Sequence, residues 1–332
     1  MKRTERESLK QNICGRNAGR RMDMEQDKLL QVQQAVNQVI QGKEDVVQKV
    51  FAAMIAGGHI LMEDIPGVGK TTLATTFAKT LELTYHRVQF TPDVLPSDIL
   101  GFSMYHNKTG EFEFHPGSVF CNLFLADEIN RTSPKTQSAL LEVMEERQAS
   151  VEGKTWKLPD PFFVIATQNP SGSSGTQLLP ESQLDRFMIC LSMGYPSHRD
   201  AVSILKGEVW KKTDKRQRVL GIEELKDLQR EAEQIYVHDE IYDYIVSLVE
   251  ETRKPGYFAE GASPRAMIAL LRMARAMARL AGRDFVTAQD VQCVLKDVLG
   301  HRVKPGARAR AEGKSVEECI HELILHVKSP RS

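Results

Sequence analysis

The chain has 332 residues, 41% of them hydrophobic, which is enough for one large or two ordinary cores. Lysine plus arginine and aspartate plus glutamate each number 44, so the formal net charge is zero and no global field draws the chain to nucleic acid or an anionic membrane. Five cysteines, odd in number and far apart, read as reduced core thiols and not as a disulfide or zinc framework, which fits a cytoplasmic location. The longest uncharged apolar stretch, 50–62, is shorter than the roughly 20 residues of a membrane span.

Residues 1–24 are rich in charged and amide side chains without apolar periodicity and read as a disordered extension. The spacing of Leu29, Val32, Val36, Val39 and Ile40 predicts a helix that Gly42 interrupts, and a second helical run follows from Val46 to the Gly57-Gly58 pair. An apolar run at 59–62 then reads as a strand, and 73–81 as a helix. Further strands are expected at 85–90, 119–126, 162–167 and 188–191, with a helix at 134–147. Short apolar runs separated by helices define residues 25–196 as an α/β domain, an αβα sandwich around a parallel sheet. After a polar linker at 197–218 the period becomes helical at 222–233, 239–253, 264–281 and 288–299, so 219–328 reads as an all-helical lid. Start signals support three of its helices: Ser263-Pro264, Thr287 with Asp290, and Ser315 with Glu318.

Between the first strand and its helix lies Glu63-Asp64-Ile65-Pro66-Gly67-Val68-Gly69-Lys70-Thr71-Thr72. This is a phosphate-binding loop of a P-loop NTPase: the stretch Pro66, Gly67, Val68, Gly69 to Thr72 can wrap the phosphates of ATP, with the backbone N–H groups around Gly67 to Lys70 as donors to phosphate oxygens. Lys70 can reach the β and γ phosphates, and the Thr71 hydroxyl can ligate Mg²⁺. The general motif wants glycine where this chain has Asp64. Downstream, Asp127-Glu128 ends a buried strand, where parallel sheets place ligand groups. Asp127 can hold Mg²⁺ and Glu128 can activate the attacking water. Asn169 ends the next strand and can sense the γ phosphate. Arg186, framed by Leu184 and Phe187, is either an ion-pair partner of Asp185 or Glu181 or a guanidinium offered to a neighbouring subunit's γ phosphate. Arg265, in the first turn of a lid helix, is opposed by the helix dipole and asks for an anion, which ATP held between the two domains would supply. The adenine pocket is sketched by Ile40, Gly42 and Glu44. Arg272, Arg275 and Arg279 share a helical spacing that reads as a solvated face.

Taken together, Asp64–Thr72, Phe124–Arg131, Ala166–Pro170, Leu179–Phe187 and Gly261–Arg265 resemble the MoxR family of AAA+ ATPases over about 25–299. The resemblance implies that Lys70 and Thr71 bind phosphate and metal, Asp127 and Glu128 form Walker B, Asn169 is sensor 1, Arg186 the arginine finger and Arg265 sensor 2. It also implies ATP hydrolysis with Mg²⁺ in a homo-oligomeric ring, a hexamer, that remodels or activates client proteins together with a von Willebrand factor A domain partner. Two hairpin insertions of that family have counterparts in the alternating runs 102–114 and 148–157. The Ser171–Gly175 run departs from the family, where a bulkier polar segment is usual. A DNA-dependent motor would want basic hairpin tips, and these offer one lysine each, which argues against nucleic acid. A nucleotide-binding switch with little turnover is the other alternative, and Glu128 and Arg186 speak against it.

Overall fold

The computed structural model describes residues 26–65, 67–108, 110–169, 179–206 and 218–330. Expectations for 1–25, for Pro66, for Ser171–Gly175 and for the middle of the linker fall outside them. The α/β part opens with helix α1 (26–37) and α2 (Glu44–Ile55). There follow β1 (Ile60–Glu63), α3 (Lys70–Thr80), β2 (Tyr85–Gln89), α4 (Pro96–Leu100) and the hairpin β3 (Gly101–His106) with β4 (Glu111–Pro116). Next come β5 (Leu123–Asp127), α5 (Pro134–Glu146), the hairpin β6 (Gln148–Val151) with β7 (Lys154–Lys157), β8 (Phe163–Gln168), α6 (Glu181–Leu184), β9 (Ile189–Leu191) and α7 (His198–Leu205). The lid holds α8 (Ile222–Glu233), α9 (Asp239–Glu251), β10 (Phe258–Glu260), α10 (Pro264–Leu280), α11 (Ala288–Leu299), β11 (Lys304–Pro305), α12 (Ala307–Ala311) and α13 (Val316–His326).

Five strands form one parallel sheet in the order β2-β5-β8-β1-β9. Alternate residues on each strand enter different cores, as the two-residue period of a strand requires. Ile60, Met62, Leu123, Leu125, Phe163 and Ile165 join the side covered by α1, α2, α3 and the lid. Leu61, Phe124, Ala126, Val164 and Ala166 join the side covered by α5. The first core runs without a break from the sheet into α8, α9, α10 and α11, so the lid is packed onto the α/β part and not merely tethered to it. The lid is helical with one addition, a short antiparallel ribbon of β10 and β11.

Three sequence expectations need correction. Residues 119–122 are not strand: the Asn122 side-chain carbonyl accepts from Thr84 N and Oγ1, a polar clamp that holds the approach to β5 as a turn. Arg279 is not on a solvated face; its side chain is 12% exposed and donates to Glu231 at 2.8 Å, joining α10 to α8. Cys293 is exposed, unlike the buried Cys121 and Cys319, so not every thiol is a core thiol. Both hairpins form where alternation placed them, the second through a turn with positive φ at Glu152 and Gly153. Lid helices start at Ser263, Thr287 and Ser315, each with its capping hydrogen bond.

Candidate nucleotide site

At the C-terminal ends of the parallel strands lies a cavity of about 380 Å³ whose wall includes Lys70, Thr71, Arg87, Asp127, Glu128 and Asn169. Gly67, Gly69 and Thr72 line it as well. Gly69 precedes α3 with φ of 98°, a left-handed conformation open to glycine at no steric penalty. The N-terminus of α3, where a helix's first N–H groups have no partner within the helix, thereby opens on this cavity. Lys70 Nζ donates to the Asp64 carbonyl at 2.9 Å. Burial pulls the Lys70 ammonium down from its ordinary pKa, and the carboxylates of Asp64, Asp127 and Glu128 oppose that pull.

Asp64, the residue that departs from the general motif, has a structural reason. Its buried carboxylate accepts from Ser192 Oγ at 2.7 Å, Met193 N at 2.7 Å and Gly194 N at 2.9 Å, binding the loop's start to the end of β9. A glycine there could not make these bonds. Val68 packs half-buried on the main core. Gly42, with φ of 68°, lies against Asp200 at the start of α7 and does not line the cavity.

The acidic pair is held from three sides. Thr167 Oγ1 donates to Asp127 Oδ1 at 2.6 Å and accepts from Glu128 N at 2.8 Å. Arg87 on β2 donates to Asp127 Oδ2 through Nη2 at 2.7 Å and Nε at 3.2 Å, and to Gln89 Oε1 at 3.0 Å. Glu128 sits in the left-handed region at φ of 56°, a strained conformation of the kind that clusters at functional sites. Its carboxylate accepts from Arg131 Nη1 at 2.7 Å. The backbone carbonyl of Asn169 accepts from Asn130 Nδ2 at 3.4 Å. The motifs assign no role to Thr167 and Arg131, which lie inside them, and do not contain Arg87. A charge within the strand preceding the acidic one was the available signal for Arg87, since β2 pairs in register with Asp127 through Gln89.

Arg186 and Arg265 are elsewhere. They line a second cleft, of about 430 Å³, together with Gly58, His59, Glu145 and Met188. Gly58 and His59 precede β1, and Met188 precedes β9, so this cleft lies at the N-terminal ends of the strands. The length of β1 and its flanks puts it roughly 15–20 Å from the phosphate loop. The expectation that Arg265 meets ATP between this chain's own two domains is therefore corrected: the lid docks on the wrong end of the sheet for that. Both arginines engage one carboxylate, Glu145 on α5; Arg265 Nη2 donates to Oε1, and Arg186 Nη2 lies 3.4 Å from Oε2. Arg186 Nε is buried without a hydrogen-bond partner. Asp185 and Glu181, the ion-pair partners expected for Arg186, pair instead with Arg302 and Lys304.

A phosphate loop between β1 and α3, acids at the tip of β5 and a polar residue after β8 define, with the helical lid, an ATPase of the AAA class. Residues 59–189 match the ATPase family associated with various cellular activities, and residues 250–323 match the AAA lid domain. The chain is 46% identical over 296 residues to the uncharacterised protein YeaC of Bacillus subtilis, covering 89% of this chain and 92% of YeaC. It is 40% identical over 305 residues to Chaperone MoxR1 of Mycobacterium tuberculosis, covering 89% of this chain and 81% of that protein. A solved structure of a candidate ATPase from Cytophaga hutchinsonii superposes with a TM-score of 0.87 at 36% identity, covering 95% of this chain and 99% of that one. The chain belongs to the MoxR family of AAA+ ATPases.

Proposed function

We propose that ATP is hydrolysed where the loop end of one subunit meets the arginine end of the next, in a closed ring, a hexamer by family resemblance. The observation that supports this reading is the separation of the two clefts: the loop cavity and the arginine cleft lie at opposite ends of one chain's sheet, as expected if each is completed by a neighbouring copy. A head-to-tail contact joins unlike surfaces and closes into a ring when its rotation permits. In this reading the loop N–H groups and Lys70 bind the triphosphate, with Pro66, Gly67, Val68, Gly69, Thr71 and Thr72 around it. Glu128 orients and deprotonates the attacking water, Asn169 contacts the γ phosphate, and Arg186 and Arg265 of the neighbour meet the charge that develops there. Thr71 and Asp127 are hard oxygen donors on one cavity wall, a donor set that fits Mg²⁺. Mg²⁺, when bound, neutralises β and γ phosphate charge. Asp127 Oδ2 would share itself between the cation and Arg87, whose Nη2 also donates to Gln89 Oε1 at 3.0 Å. Gly42 would border the adenine.

The work driven by hydrolysis is chaperone-like remodelling of client proteins in the cytoplasm, with a von Willebrand factor A domain partner on another polypeptide. A relative named as a chaperone supports it, as do Phe102, Met104, Tyr105 and Phe112, exposed on the β3–β4 hairpin. Apolar hairpin surface suits a protein client better than a polyanion. No helix among the described residues is long and apolar enough to cross a membrane.

Phosphate release measured across protein concentration tests the site. Specific activity of the wild type rises with concentration. Arg186→Ala loses roughly 10³-fold or more, while its own ATP affinity is retained. Wild-type activity that is flat with concentration, together with an active Arg186→Ala, would overturn the shared site.

A further inference from the structure

The turn that carries Arg186 is fixed from the lid. Arg302, just beyond α11, has a side chain only 3% exposed. Its guanidinium donates through Nε to Asp185 Oδ1 at 2.8 Å, through Nη1 to the carbonyls of Met188 at 3.1 Å and Val298, and through Nη2 to those of Asp185 at 3.1 Å and Phe187. Four of these five acceptors belong to residues 185–188, on both sides of Arg186. His301 Nε2 also meets the Phe187 carbonyl, at 3.1 Å, and burial keeps that imidazole neutral and able to donate there.

The other Asp185 oxygen leads to Arg265. Ser263 Oγ donates to Asp185 Oδ2 at 2.8 Å and accepts from Arg265 N at 3.1 Å, so the residue that caps α10 is itself held by the Arg186 turn. Asp185 is thus the shared node of two lid contacts, one from each end of the lid's central helices. We propose that Arg302 is a positioning residue for the trans half-site: through Asp185 it locks Arg186 and Arg265 into one unit, so that both reach a neighbouring subunit's nucleotide together. This inference rests on the shared-site reading above.

A purely adhesive role for Arg302 is the competing account, and its geometry speaks against it. A buried ion pair is weak support for stability, because desolvation offsets much of the attraction. A planar five-donor fork is needed only where several acceptors must be held at fixed angles. Lysine would keep the charge and lose the fork.

The test is subunit mixing with Arg302→Lys. Alone, this variant binds ATP as the wild type does and hydrolyses roughly 10²-fold more slowly, the size of effect that about an ångström of misplacement can produce. Its own loop, Asp127 and Glu128 are intact, so subunits of Glu128→Gln, whose arginines are intact, should restore hydrolysis in mixed rings by about tenfold or more over either variant alone. Arg186→Ala mixed with Glu128→Gln is the reference. If the reference recovers and Arg302→Lys does not, Arg302 does not act through the trans arginines and the proposal is overturned. If the reference itself fails to recover, the shared site falls, and the proposal with it. Asp185→Asn, which weakens the node while leaving the guanidinium its carbonyl acceptors, should show the same mixing pattern with a smaller loss, and it decides the matter should Arg302→Lys not fold.

Discussion

The two ends of the central sheet are built in opposite ways. At the C-terminal end, Gly67 to Thr72 is one contiguous stretch of loop and first helical turn, Asp127 ends a strand, and Glu128 and Asn169 each follow directly from one. At the N-terminal end, Glu145 comes from the last turn of α5, Arg186 from a turn before β9 and Arg265 from the lid, and the three meet only because the lid shares a core with the sheet. Strand β1 runs from one end to the other, with His59 in the arginine cleft and Asp64 at the loop. The difference teaches that a loop with a phosphate-binding motif can be shaped by local chain geometry, whereas a charge cluster from three segments needs long-range packing to hold it.

The largest change expected from breaking either end of β1 is at Asp64. Asp64→Ala leaves the buried N–H groups of Met193 and Gly194 without an acceptor, which should reduce unfolding stability by about 3 kcal/mol in urea melts, with Asp64→Asn intermediate. Equal stability of Asp64→Ala and wild type would show that the aspartate is there for nucleotide chemistry and not for the tie to β9.

At the other end, His59 Nδ1 accepts from Val164 N and Nε2 donates to the Met144 carbonyl, each at 2.9 Å, an arrangement that only the neutral ring allows. Burial, reinforced by the charge of Arg147, pushes its pKa down to about 4, although the Met144 carbonyl draws it the other way. The unfolded chain takes up this proton near pH 6.5 and the folded chain resists it, so stability is full above that pH and is lost as the pH falls toward 4. The slope is about 1.4 kcal/mol per pH unit, so about 2 kcal/mol disappears between pH 6.5 and 5. His59→Gln should remove that share of the pH dependence in denaturant melts; an unchanged slope would assign the acid sensitivity to other groups.

The smallest effect is expected at Glu145. Its carboxylate is 40% exposed, and the two ion pairs it makes are screened by solvent, so Glu145→Gln should change stability by less than about 1 kcal/mol. If Arg186 and Arg265 serve a neighbouring subunit's phosphate as proposed, they must exchange Glu145 for it, and hydrolysis should change only a few-fold in Glu145→Gln. A loss of stability well above that bound would make Glu145 a structural anchor.

Much of the loop end was legible from residues alone, because its signals are local. The strand-loop-helix pattern around Lys70, the acids after an apolar run and the caps at Ser263, Thr287 and Ser315 involve partners a few residues apart. The tie from Asp64 to Met193 and Gly194 was not legible, because it crosses from one strand end to another. Nor was the burial of Arg279 or the turn at Asn122, each decided by a partner far along the chain.

The sequence by itself determined the class of the protein and the loop that handles phosphate, since helix dipoles, left-handed glycines and period-two apolar runs are written in short stretches. Only the tertiary structure decided that Arg265 stands at the far end of the sheet from Lys70, and that Arg302 bonds the residues on both sides of Arg186. The reason is physical: a side chain's reach is a few ångströms, and which residues fall within it is set by how the lid's apolar face is buried against α2 and the sheet, not by their separation along the chain.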